Sequence, residues 1–177
     1  MKKLLILALI AACSTTVYRT QDTPITTVQN LDAEKYLGTW YEIARYPNWF
    51  ERDCVGVTAN YTKRDDGQIN VKNTCLKSTQ NNAVEVANGL ARIESPGKLS
   101  VTFTPWLPIV PRGDYWILGL NGYDIAVVGN PSGKTGWILS RAAKLNEADI
   151  AWAKNILIKN GYNTDGLEWV DQSMNMK

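Results

Sequence analysis

The chain has 177 residues, 45% of them hydrophobic and 20% charged, with seven Trp, eight Tyr and no His. That length suits one barrel or sandwich with a single core, and the apolar content is above that of a disordered chain. The 19 Lys plus Arg include Lys2 and Lys3; without that pair the basic residues equal the 17 acidic ones, which excludes the basic footprint that nucleic acid demands. Lack of histidine removes Ser-His-Asp and Cys-His nucleophiles and every histidine metal site, and no CxxC pair exists. No catalytic residue, metal or cofactor is expected.

The first residues read as basic Lys2-Lys3, an apolar run from Leu4 to Leu9, and Ile10-Ala11-Ala12 before Cys13. This is the order of a secretory signal over 1–12, too short to cross a hydrocarbon core of about 30 Å as a permanent helix. Ile10-Ala11-Ala12-Cys13 resembles the bacterial lipobox, which implies lipidation of Cys13 as the new first residue. Ser14 follows where Asp would favour retention in the inner membrane, which implies sorting to the outer membrane. Cys54 and Cys75 are then an even pair in an oxidising compartment. A disulfide between them closes a loop of about 20 residues and contributes roughly 3 kcal/mol in the chain-entropy model; two buried thiols are the alternative. Residues 13–29, rich in Ser, Thr and Gln without an apolar period, read as a lipidated tether whose reach is roughly 20 Å if flexible. The folded domain is expected over 30–177.

Leu31 to Leu37 is too short for an independent helix, and strand signals begin at Gly38. Val55, Val57, Ala59 and Tyr61 alternate, Arg64 to Gly67 breaks the run, and Ile69, Val71, Asn73 and Cys75 alternate again, as in a hairpin. Ala83 to Glu94 is a long third run, turned by Pro96-Gly97 into Leu99, Val101 and Phe103. Tyr115–Leu120 and Tyr123–Gly129 flank Asn121-Gly122, a strong hairpin signal, and Thr135–Arg141 is the last of about eight strands. One helix follows: Asn146 caps it, Glu147 and Asp149 suit its N-terminus, Gly161 stops it, and Ile150, Ala153, Ile156 and Leu157 share a face. The expectation is an all-β chain with one C-terminal helix, an eight-stranded antiparallel up-and-down barrel.

Gly129 to Thr135 looks like a phosphate-binding loop, but three residues separate its glycines instead of four, Pro131 removes an amide, and a strand follows where a helix should open. It reads as a polar hairpin turn with Lys134 in solvent. The informative set is Gly38-Thr39-Trp40-Tyr41 with Tyr123-Asp124 and Arg141, extended by Tyr36 to Arg45 and Trp137 to Arg141. This combination resembles the lipocalin family, and within it the bacterial outer-membrane lipoproteins related to plant temperature-induced lipocalins and apolipoprotein D. The resemblance spans about residues 30 to 170. It makes Gly38, Trp40, Tyr41 and Arg141 structural, with the guanidinium laid over the indole to plug the closed end, a contact worth about 0.5–2 kcal/mol.

Alternation from Trp40 puts Glu42 and Ala44 on the inner face of the first strand and Trp137 and Leu139 on that of the last. By the family's parity the ligand lining adds Val57, Ala59, Val71, Ala87, Gly89, Val101, Phe103, Tyr115, Ile117 and Val128. Small residues beside aromatics leave a slot, or else these side chains fill a dry core. Glu42 is expected to be a satisfied part of the base. The apolar loop Pro105 to Pro111 either meets a membrane or partner, or folds over its own rim. The resemblance implies a non-enzymatic, lipid-anchored protein on the periplasmic face of the outer membrane. It would bind a fatty acid such as palmitate, a lysophospholipid or a similar ligand for storage or transport in envelope maintenance, with a homodimer possible. The rival readings are a packed barrel acting through its outer loop and, from a few family relatives, an enzyme of the calyx.

Overall fold

A computed structural model of the protein describes residues 16–175, so the expected leader and lipid-acceptor Cys13 lie outside the described residues. A single turn of helix, α1 (Ala33–Tyr36), leads into eight strands: β1 (Gly38–Arg45), β2 (Cys54–Lys63), β3 (Ile69–Lys77), β4 (Ala83–Ser95), β5 (Lys98–Thr102), β6 (Gly113–Asn121), β7 (Ile125–Gly129) and β8 (Gly136–Ser140). Each pairs antiparallel with the next, and β1 pairs with both β8 and β2, so the sheet closes into a barrel. Closure leaves no free edge around the ring where the ladders meet. The helix α2 (Glu147–Lys159) and the two-residue β9 (Glu168–Trp169) follow.

Alternation divides the apolar side chains into two cores. Trp40, Val71, Ile117, Ala126, Val128 and Leu139 cluster inside the barrel. Leu118, Ile125, Val127 and Ile138 face the other way and pack with Ala153 and Leu157 of α2. Asn146 Oδ1 caps this helix by accepting from Asp149 N at 2.9 Å. Gly119 lets it approach, because a β-carbon there would stand 3.0 Å from the Ile156 side chain.

Three expectations need correction. A bulge between Glu42 and Ala44 places both Ile43 and Ala44 in the outer core and returns Arg45 to the inside opposite Trp137, so Ala44 does not line the interior. The turn after β6 is Gly122-Tyr123-Asp124, with Gly122 and Tyr123 at positive φ and Asn121 paired to Ile125; β7 therefore starts two residues later than the Asn121-Gly122 signal implies. The third concerns the tether. From Tyr18 onward it is strapped to the barrel wall: Tyr18 N donates to Gly133 O at 2.8 Å, Thr20 N to Gly161 O at 2.9 Å and Val28 N to Ile117 O at 3.0 Å. Buried Arg19 donates to the carbonyls of Asn160, Pro131 and Thr23, and Tyr18 stacks on Tyr46 with centroids 4.6 Å apart. Backbone pairing, one guanidinium and the scattered apolar contacts of Tyr18, Ile25 and Val28 hold this segment, and together they leave no sustained apolar period to read.

The C-terminal residues complete the wall. At its far end β1 leaves β2 and pairs with β9, and the gap is stitched by Gln172, whose Nε2 donates to Glu42 O at 2.7 Å and Val57 O at 2.9 Å. Gly56 N donates to Asp171 O across the same seam at 2.7 Å.

Candidate functional site

The closed end is built around Trp40, which is fully buried and donates through Nε1 to Tyr36 O at 2.8 Å. Arg141 lies over its ring, Cζ 3.8 Å from the centroid. The same guanidinium donates to Thr39 O at 2.7 Å, Leu37 O at 2.7 Å and Lys35 O at 2.8 Å, tying α1 to β1. Gly38 sits at φ +90°, a conformation in which a side chain would be strained. These contacts are structural.

Above the plug the barrel is aromatic. Tyr115 hydroxyl is hydrogen-bonded to Tyr36 at 2.7 Å and Tyr61 at 3.0 Å, and its ring stacks on Trp137 with centroids 6.4 Å apart. Burial pushes the Tyr61 hydroxyl up to about 12 and holds Tyr36 and Tyr115 well above the usual phenol range, so all three stay protonated at neutral pH. Tyr36 and Tyr61 fill part of the volume assigned to a slot. Tyr61 has the inward parity of Ala59 and was legible on that ground; Tyr36 was not, because it enters from α1.

A charged band lies beside these rings. Arg45 Nη1 donates to Glu42 Oε1 at 2.9 Å and Arg45 Nη2 to Cys54 O at 3.2 Å. Glu51, also buried, accepts from Trp137 Nε1 at 3.2 Å. Burial, reinforced by the Glu51 charge, holds Glu42 well above the usual carboxyl range even though Arg45 opposes the shift. Glu42 is thus inward and satisfied, as expected, but it lies in the wall above the plug and not in the base. Cys54 and Cys75 are joined as a disulfide, and Val57 packs on it with Val170 rather than with the main interior cluster.

Strand register puts the expected lining residues at distinct heights. Ala59, Val71, Val101, Tyr115, Ile117, Val128, Trp137 and Leu139 share the inner cluster with Trp40. Ala59, Asn73 and Ala87 form one row across β2, β3 and β4, two alanines flanking an asparagine whose buried Oδ1 has no protein partner. Gly89 is buried, and a β-carbon there would stand 2.8 Å from Thr102 O and 3.0 Å from the Phe103 ring. Ala87 and Phe103 are exposed at the open end. There the loops after β1, β3, β5 and β7 surround the mouth. Trp106 is 75% exposed and Ile109 83%, so the Pro105–Pro111 loop does not fold over its own rim. The 130–135 loop is the polar turn expected, with Lys134 in solvent.

A closed antiparallel barrel with a sealed base, an apolar inner face and one helix on its wall is the build of a binding protein for small apolar molecules. Residues 31–172 match the family model described as a lipocalin-like domain, and the chain belongs to the lipocalin family, which binds small hydrophobic ligands. It is 36% identical over 152 residues to temperature-induced lipocalin-1 of Arabidopsis thaliana, covering 82% of each chain. It is 33% identical over 165 residues to the outer membrane lipoprotein Blc of Citrobacter freundii, covering 93% of this chain and 90% of that one. The fold is similar to the crystal structure of the cockroach allergen Per a 4, with a TM-score of 0.66 at 22% identity, over 86% of this chain and 96% of that one.

Proposed function

We propose that the barrel holds one acyl chain, of a fatty acid or lysophospholipid, and that Cys13 carries the lipid that anchors the protein to the periplasmic face of the outer membrane. The row Ala59-Asn73-Ala87 carries this reading. It joins the mouth to the inner apolar cluster through small side chains and presents one unpaired buried acceptor, as a ligand path should. The aromatic floor limits depth, so the tail occupies the upper barrel and the head group stays at the rim, near Lys77 and Glu85, which pair at 3.2 Å. Each buried methylene contributes about 0.8 kcal/mol before the losses of translational and chain entropy. The similarity to an outer membrane lipoprotein supports the location, and the role that follows is storage or transfer of lipid in envelope maintenance.

Native mass spectrometry of the protein titrated with palmitate and with lysophosphatidylethanolamine tests the reading. A saturable one-to-one complex is expected. Ala87→Trp, at an exposed position that tolerates bulk, displaces several methylenes from the path and weakens the complex by roughly tenfold or more. Absence of a complex with either lipid, in a protein that melts cooperatively, rejects the carrier and leaves the filled barrel acting through its outer loops.

A further inference from the structure

Among the described residues, nine of the fourteen large exposed apolar side chains belong to the mouth loops or the start of β4, and Trp49 is 82% exposed. Trp49 and Phe50 stand on the loop after β1, Trp106, Leu107 and Ile109 on the loop after β5, and Val86 on the β4 edge that β5 does not reach. The four mouth loops contain Arg52, Arg112 and Lys134 against Asp53 and the buried Glu51. An apolar crown of this size around one opening, with tryptophans at its tips and a basic excess, has the chemistry of a surface that sits at a lipid interface.

The N-terminal strap says which surface. It starts at the mouth, where Tyr18 N meets Gly133 of the 130–135 loop and Tyr18 hydroxyl donates to Pro47 O of the loop after β1 at 3.2 Å. It ends at the closed end, where Val28 lies against Gly97 in the turn between β4 and β5. Cys13 precedes Tyr18 by five residues, a span of at most about 17 Å however the chain runs. A tether running free to residue 29 would leave from the closed end and orient nothing; the strap instead fixes Tyr18, five residues after the proposed anchor, beside the crown.

We infer that the open mouth faces the bilayer that carries the anchor, with Trp49 and Trp106 in its interfacial layer, so that a lipid passes between bilayer and barrel without crossing bulk water. This rests on the proposed acylation of Cys13 and adds to it a fixed orientation.

The test uses the full-length processed protein in vesicles of phosphatidylethanolamine and phosphatidylglycerol doped with bromine-labelled phosphatidylcholine. Bromine in the tails quenches tryptophan emission of the vesicle-bound wild type, and W49F/W106F, which keeps the crown apolar, loses that quenching while staying bound. A third tryptophan position, Ile93→Trp at the closed end in the double variant, stays unquenched. Undiminished quenching in W49F/W106F, no quenching of bound wild type, or quenching at position 93 overturns the orientation. Intact mass and the lipid titration separate the two readings. An acylated, lipid-binding protein that fails the quenching test loses the orientation alone, whereas absence of the acyl mass removes anchor and orientation together.

Discussion

At the level of single residues, the closed end depends on one planar cation. Arg141 meets an indole face and four carbonyls at once, a fork that lysine's single ammonium cannot reproduce. Trp40→Ala removes a fully buried ring remote from the mouth, and a loss of about 3–5 kcal/mol is expected. Thermal melts should therefore show a large fall in Tm before lipid titrations show any change in ligand preference. Glu42 adds a pH dependence. Its carboxyl pKa is higher folded than unfolded, so its favourable contribution is complete below the ordinary value near 4.5 and declines as pH rises through the folded value. Melts across this range should show stability falling from mildly acid toward neutral pH, and Glu42→Gln should flatten that fall; a steeper fall in the variant would contradict the assignment. Trp40 and Arg141 were legible through the resemblance to the family's motifs, and an inward Glu42 through parity. Arg45, the partner of Glu42, was not, because a one-residue bulge reverses every inference made beyond it.

At the level of elements, hairpins and the amphipathic helix followed from alternation and capping, since both periods are set by backbone geometry and by which face is buried. The strap did not, because backbone pairs and Arg19 impose no period, and the apolar residues it packs on the wall, Tyr18, Ile25 and Val28, are too few to show one. Arg19→Ala removes the guanidinium bonded to Asn160 O at 2.8 Å and strands buried carbonyls, which costs about 1.5–3 kcal/mol. Hydrogen exchange should then show protection lost first at the amides of Tyr18, Thr20 and Val28, with the barrel amides unchanged. Uniform loss across β6 to β8 would mean that the strap is part of one cooperative unit. The turn at Gly122-Tyr123-Asp124 is hidden from the sequence for a related reason: positive φ at Tyr123 is sustained by tertiary contacts, including Arg141 N donating to Asp124 O at 2.8 Å, and not by the residue's own preference.

Across the whole molecule, the barrel was readable because its two faces obey one parity rule, and most of the expected inner residues do meet in one cluster. What parity cannot report is filling. Tyr36 reaches the interior from outside the sheet, and Phe103 takes the space that Gly89 leaves, so room for a ligand depends on side chains arriving from elsewhere in the chain. The predicted loss of lipid binding in Ala87→Trp and the orientation of the mouth both concern this scale, because each depends on which end of the barrel is left open.

The stitch made by Gln172 has a temporal consequence. It joins the wall at Glu42 and Val57, which precede it by 130 and 115 residues, so the cylinder cannot shut along that side until nearly all the described chain is available. Contacts this distant in sequence form late, because the entropy of a long loop is lost before any pairing compensates it. A chain delivered N-terminus first through a narrow pore would therefore remain unlatched throughout passage, threadable until its last strand fragment arrives and locks it.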